Sequence, residues 1–110
     1  MKESSRPQAV LRAELLAILA EMLLILEQVR EEHWRTWLST CRSEIESWDE
    51  QGVRRLLGGY GGMGSVNDLS LHPLNGHQLA LEEVAAVNGS FDRLRSDAYQ
   101  HAQELGRTLD

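Results

Sequence analysis

Residues 11–29, LRAELLAILAEMLLILEQV, decide the fold. Leu11, Leu15, Ile18, Met22, Ile25 and Val29 recur at steps of three or four, the repeat that lines one side of an α-helix. A second row, Leu16, Leu19, Leu23 and Leu26, widens that side beyond a simple stripe. A helix this apolar needs several neighbours, supplied by its own chain or by a second subunit, so a homodimer is one expectation. Upstream, Ser4 and Ser5 are candidate caps and Pro7 suits the first turn.

Working outward, Trp34, Trp37, Leu38, Cys41, Ile45 and Trp48 share one face of a second helix, about 31 to 47, with a bend expected near Arg30. Asp49 can cap a short third helix in which Val53, Leu56, Leu57 and Tyr60 turn inward, and Gly58-Gly59 stop it. After an irregular segment, 58–78, the row Leu81, Val84, Val87, Phe91, Leu94, Ala98, Ala102 and Leu105 predicts a long last helix ending at Gly106. Asn88-Gly89-Ser90 are poor helix formers and predict a kink or short break in it. The expectation is all-α: an antiparallel bundle of about four helices forming a single domain, 1–110, with a long glycine-rich connection.

The chain has 110 residues, 42% hydrophobic and 25% charged, with a formal net charge of -6. One soluble domain follows. Nucleic-acid binding rests on Lys and Arg neutralising phosphates, so this charge disfavours DNA and RNA; it either serves solubility alone or suits a basic protein partner. Arg12, Glu14, Glu21 and Glu27 interrupt the first apolar run, which argues against both a secretory core and a membrane span. Cys41 is the single cysteine, which excludes an internal disulfide and a thiolate metal cage and fits a reducing cytoplasm. Its place in the tryptophan row predicts a small buried hydrophobe rather than a nucleophile.

The segment Tyr60-Gly61-Gly62-Met63-Gly64-Ser65-Val66-Asn67-Asp68 is the richest in chemistry. Gly59-x-Gly61-x-x-Gly64 satisfies a dinucleotide fingerprint only literally, because that motif needs a preceding strand; Gly59-x-x-x-x-Gly64-Ser65 resembles a phosphate loop without its lysine. Two roles remain for the run. Glycines allow positive φ and close packing, so the loop can simply cross the bundle tightly. Alternatively, its amides form an anion nest, with Tyr60, Gly61, Gly62, Met63, Gly64, Ser65 and Asn67 as ligand-binding residues. Asp68 would oppose an anion there and could instead cap the following turn.

The run Tyr60 to Ser65 followed by Asn67-Asp68-Leu69 resembles the signature of a small bacterial family of unknown function, over roughly residues 48 to 105. In that family the signature follows a short helix and precedes a final helix carrying an Asn and an aromatic, matching Asn88 and Phe91 here. The resemblance implies a bacterial origin and a helical fold, and no activity.

His33, His72, His77 and His101 match no metal-site spacing and read as isolated surface histidines, with His72 and His77 in a flexible-looking stretch around Pro73 and Gly76. Glu82 and Glu83 point in different directions, a poor acid/base couple. No nucleophile, base and orienting group can be assembled, and no cofactor or metal is expected. The sequence therefore predicts a non-enzymatic interaction factor, of the immunity or antitoxin kind, with a small-ligand or anion-binding protein as the alternative. Trp34, Trp37 and Trp48 read as core, and any of them that is exposed becomes an interface candidate.

Overall fold

A computed structural model describes residues 7–109, so the caps expected at Ser4 and Ser5 lie outside the described residues. Four helices, α1 (Gln8–Gln28), α2 (Glu32–Glu46), α3 (Gln51–Gly58) and α4 (Val84–Arg107), carry the fold. No strand occurs among the described residues. Pro7 precedes the first turn of α1, with extended ψ of 144°. Each helix runs antiparallel to the next. Arg12 near the start of α1 donates through Nε to the Ile45 carbonyl at the end of α2, 2.9 Å away. Gln8 reaches Thr108 at the end of α4. The ring closes through α3, where Arg55 grips Glu44 of α2 with two bonds of 2.8 and 3.0 Å. The result is an up-down-up-down bundle measuring 48 × 24 × 23 Å.

Helix α3 is the short member. Its eight residues run beside only part of α4, and the connection to Val84 fills the remaining column with three short 3-10 turns, Val66–Asp68, Pro73–Asn75 and Leu81–Glu83. Val66 and Leu71 of that connection are fully buried in the core. The connection thus takes the place of the missing turns of a helix.

The core follows the heptad-like reading with a small rotation. Leu11, Leu15, Leu19, Met22 and Leu26 of the first helix and Val29 just after it are buried, so Leu19 and Leu26 take the central positions expected of Ile18 and Ile25, which pack at the flanks. Leu38, Cys41, Ile45, Val53, Leu56, Phe91, Ala98, Ala102 and Leu105 complete it. Burial pushes the Cys41 thiol up to about 12, which keeps it a neutral core side chain.

The α1–α2 and α2–α3 corners use one device. Arg30 (φ 62°) and Trp48 (φ 60°) are left-handed. The following amides close the helix ends, Glu31 N–H on Leu26 O at 2.8 Å and Asp49 N–H on Glu44 O at 2.9 Å, while Arg30 and Trp48 donate to Glu27 and Ile45. These are Schellman ends, in which the left-handed position ordinarily carries glycine. The bend expected near Arg30 is therefore a full reversal. Asp49 does serve the start of α3, its carboxylate accepting from Gln51 N–H at 2.9 Å.

Three expectations are corrected. Trp48 belongs to the corner rather than to the inward face of α2 and is 55% exposed. Leu81 is exposed too, because it sits in a 3-10 turn before α4 begins. Asn88-Gly89-Ser90 lie inside an unbroken α4, since Asn88 spends its side chain on the neighbouring connection and on Val84 O of its own helix.

Candidate functional site

The connection between α3 and α4 is tied down from both sides. At its start, Val66 N–H closes on Gly59 O at 3.0 Å, making the glycine run a loop of its own. Gly62 (φ 81°) and Gly64 (φ 76°) supply the left-handed turns within it. Gly59 is needed for another reason: a Cβ there would lie 2.1 Å from Cζ2 of Trp37. Glycine's tolerance of positive φ and close packing accounts for these three positions.

Several of the loop's polar groups bond to one another. Asp68 accepts from Gly64 N–H at 2.8 Å, and Ser65 Oγ donates to Tyr60 O while accepting from Asn67 N–H. An anion at the Gly64 amide would have to displace the Asp68 carboxylate, which already occupies that donor. The Asp68 carboxylate thus closes back on Gly64, before it in the chain, rather than on the turn that follows.

Arg95 of α4 is the hub. Its Nη1 donates to both Val66 O and Leu69 O at 2.9 Å, its Nη2 pairs with Asp92, and its backbone carbonyl accepts from the Tyr60 hydroxyl at 2.6 Å. Burial pushes the Tyr60 phenol well up, so it stays a neutral donor. Beside this hub opens a cavity of about 470 Å³ lined by Leu57, Tyr60, Gly61, Asn67, Asp92, Arg95, Ser96 and Tyr99. The rings of Tyr60 and Tyr99 stand 4.9 Å apart at 45°. Of the residues singled out from sequence, Tyr60, Gly61 and Asn67 meet here. Gly62, Gly64, Ser65 and Asp68 do not line it, and Met63 projects into solvent, 97% exposed.

Further along, Asn88 and His77 clasp the connection. Asn88 accepts from Leu71 N–H and donates to Leu71 O, at 2.9 and 2.8 Å. His77 is buried, which corrects its reading as an isolated surface residue. Its Nδ1 accepts from His72 N–H at 3.0 Å, so its proton sits on Nε2 and is donated to Glu31 Oε1 at 2.8 Å. The stretch around Pro73 and Gly76 is a closed turn, with His77 N–H and Asn75 N–H both on His72 O. His72 itself is half-buried, His101 lies 3.3 Å from Glu14, and His33 packs edge-on against Trp34. No group of three His, Cys, Asp or Glu side chains that could hold a metal occurs among the described residues.

Asn88 was singled out from sequence through the family resemblance, whereas Arg95, Asp92, Ser96 and Tyr99 were not singled out. A signal existed: a buried connection must find donors for its carbonyls, and a polar side chain one turn beyond Phe91 is placed to give them.

The same segment is where the chain meets known proteins. Residues 27–80 match the family model described as a domain of unknown function (DUF6966). The match runs from the end of α1 through the glycine loop to the end of the clasped turn, just under half the chain. No curated protein and no solved structure matches it. Among the described residues, no helix is long and apolar enough to cross a membrane.

Proposed function

We propose that the protein is a non-enzymatic interaction factor, an inhibitor or adaptor of the immunity or antitoxin kind, which binds a basic protein through the connection between α3 and α4. One observation carries the reading. The connection is fastened internally by Arg95, Asn88 and His77, yet it leaves Met63, Leu74 and Leu81 exposed at 97, 90 and 69%. Exposed large apolar side chains on a fixed backbone suit a partner's apolar pockets, because little ordering entropy remains to be lost on binding.

Charge supports a basic partner. From Gly59 to Glu83 the chain carries Asp68, Glu82 and Glu83 and no Lys or Arg, within a protein of net charge -6. Opposite charge across such an interface speeds encounter and excludes wrong partners. A cytoplasmic location fits the lone thiol.

The test is a paired capture from cells of the source organism, with the native chain and a Met63→Ser, Leu74→Ser, Leu81→Ser variant as bait. A stoichiometric basic protein held by the native chain, released by salt and missing from the variant is the expected result. Equal retention by both baits, or no partner at all, would sink the reading.

A further inference from the structure

We infer that the cavity between the glycine loop and α4 is a binding site for a small uncharged heteroaromatic ring carrying neighbouring hydrogen-bond donor and acceptor groups, the chemistry shared by nucleobases and nicotinamide. This goes beyond the protein-interaction reading and does not depend on it.

The argument begins with charge. The cavity wall holds one cation and one anion, Arg95 and Asp92, and they are paired with each other. Arg95 also spends Nη1 on two loop carbonyls. An anionic ligand would meet a guanidinium already neutralised by Asp92 with three of its five donors spent, and a cationic one would have to take Asp92 from Arg95. A neutral ligand disturbs neither.

Shape and polarity come next. About 470 Å³ lies in the range of small-molecule sites. Leu57, Tyr60 and Tyr99 supply apolar and aromatic lining, which favours a flat ring through offset or edge contacts. The polar groups free to bind it are specific. Among the described residues, the Asn67 carboxamide, the Ser96 hydroxyl and the Tyr99 hydroxyl make no hydrogen bond, unlike the Tyr60 hydroxyl, which is fixed on Arg95 O. A carboxamide offers one donor and one acceptor side by side, matching a ring edge that presents the complementary pair. Tyr60 is held by its bond to Arg95 O of α4 and the Asn67 backbone by Ser65 Oγ, so the wall is formed before a ligand arrives.

The experiment is an amide-resolved NMR titration of the full chain with adenine, nicotinamide and, separately, inorganic phosphate. Saturable shifts at Gly61, Asn67, Ser96 and Tyr99 are expected with at least one of the two rings, and none with phosphate. Asn67→Ala changes an exposed side chain, and its own spectrum reports that the fold survives; it should weaken ring binding about fivefold or more, as loss of a hydrogen-bonding partner does. Tyr99→Phe keeps the ring pair and should weaken binding less. The inference is overturned if neither ring gives saturable shifts at millimolar concentration, if phosphate alone does, or if Asn67→Ala binds as tightly as the native chain.

Discussion

Asn88 holds Leu71 by both ends of its peptide unit, accepting from the Leu71 amide at 2.9 Å and donating to the Leu71 carbonyl at 2.8 Å. A side chain of α4 thereby pairs with the connection as a neighbouring strand would, and the Leu71 side chain beyond it is fully buried. Asn88→Ala removes both bonds and leaves two backbone groups short of partners, so it should cost about 2 kcal/mol of unfolding free energy in urea titration. Amide exchange at Leu71 should quicken by more than that at Leu105. Asn88→Asp keeps the acceptor but sets a carboxylate against the carbonyls of Leu71 and Val84, and should destabilise at least as much at neutral pH. An Ala variant as stable as the native chain would show that the clasp is dispensable.

Arg30 and Trp48 occupy left-handed positions that cost a side chain roughly 1–2 kcal/mol relative to the right-handed helix. Glycine avoids that cost but loses more backbone entropy on folding. Arg30 is exposed and makes no side-chain hydrogen bond or ion pair among the described residues, so Arg30→Gly should raise stability by up to about 1 kcal/mol. Trp48→Gly also forfeits the Arg12 guanidinium stacked 4.1 Å from the indole, so its gain should be smaller or reversed. Thermal denaturation of both variants, read together, separates backbone relief from lost stacking.

Those two residues also mark where the sequence was legible and where it was not. Apolar spacing located every helix, because burial of one face is written directly in residue order. The corners were blurred because the residues at the left-handed positions are Arg and Trp, which carry no turn signature, and Trp48 extends the apolar spacing of α2 by one false step. Asn88 read as a helix breaker because propensity counts a side chain's competition with its own backbone. It cannot see that the competitor here is another segment. The glycine loop was visible at once, but the cavity needed Arg95, Ser96 and Tyr99, whose approach to Tyr60 depends on how far α3 runs before it stops.

The glycines should separate by cause. Gly59→Ala forces a Cβ to 2.1 Å from the Trp37 ring, and Gly52→Ala sets one 2.8 Å from Glu44 Cβ and Ile45 Cγ1; each should cost about 1–3 kcal/mol through displaced packing. Gly62→Ala and Gly64→Ala meet no atom within 4 Å but must hold positive φ, so each should cost about 1 kcal/mol. Gly61→Ala meets neither obstacle and should be close to neutral, while Gly58→Ala, in the last turn of α3, should gain a few tenths to about 1 kcal/mol. Denaturant midpoints for the six variants test the order. A Gly61 variant as damaging as that of Gly59 would mean that the loop has a constraint beyond backbone geometry and packing.

Acid should loosen the junction between the connection and the start of α2 through Glu31. Burial alone would raise the pKa of this carboxyl, but the hydrogen bonds from His77 and the Trp34 amide act the other way, and it is held below its usual value of 4.5. A depressed folded-state pKa means that the unfolded chain takes up the proton first. The stabilisation is therefore complete above the unfolded value and is lost as pH falls through the folded one. The carboxylate accepts through both oxygens, from His77 on Oε1 and from Trp34 N–H on Oε2, so Glu31→Gln keeps one acceptor, sets an amide donor at the other position and removes the charge; it should cost roughly 1–2 kcal/mol at neutral pH. As pH drops below the carboxylate range the native curve should fall toward that of the variant, since a protonated Glu31 and a glutamine offer nearly the same bonds. Stability curves that stay parallel down to acid pH would show that Glu31 carries no share of the acid sensitivity.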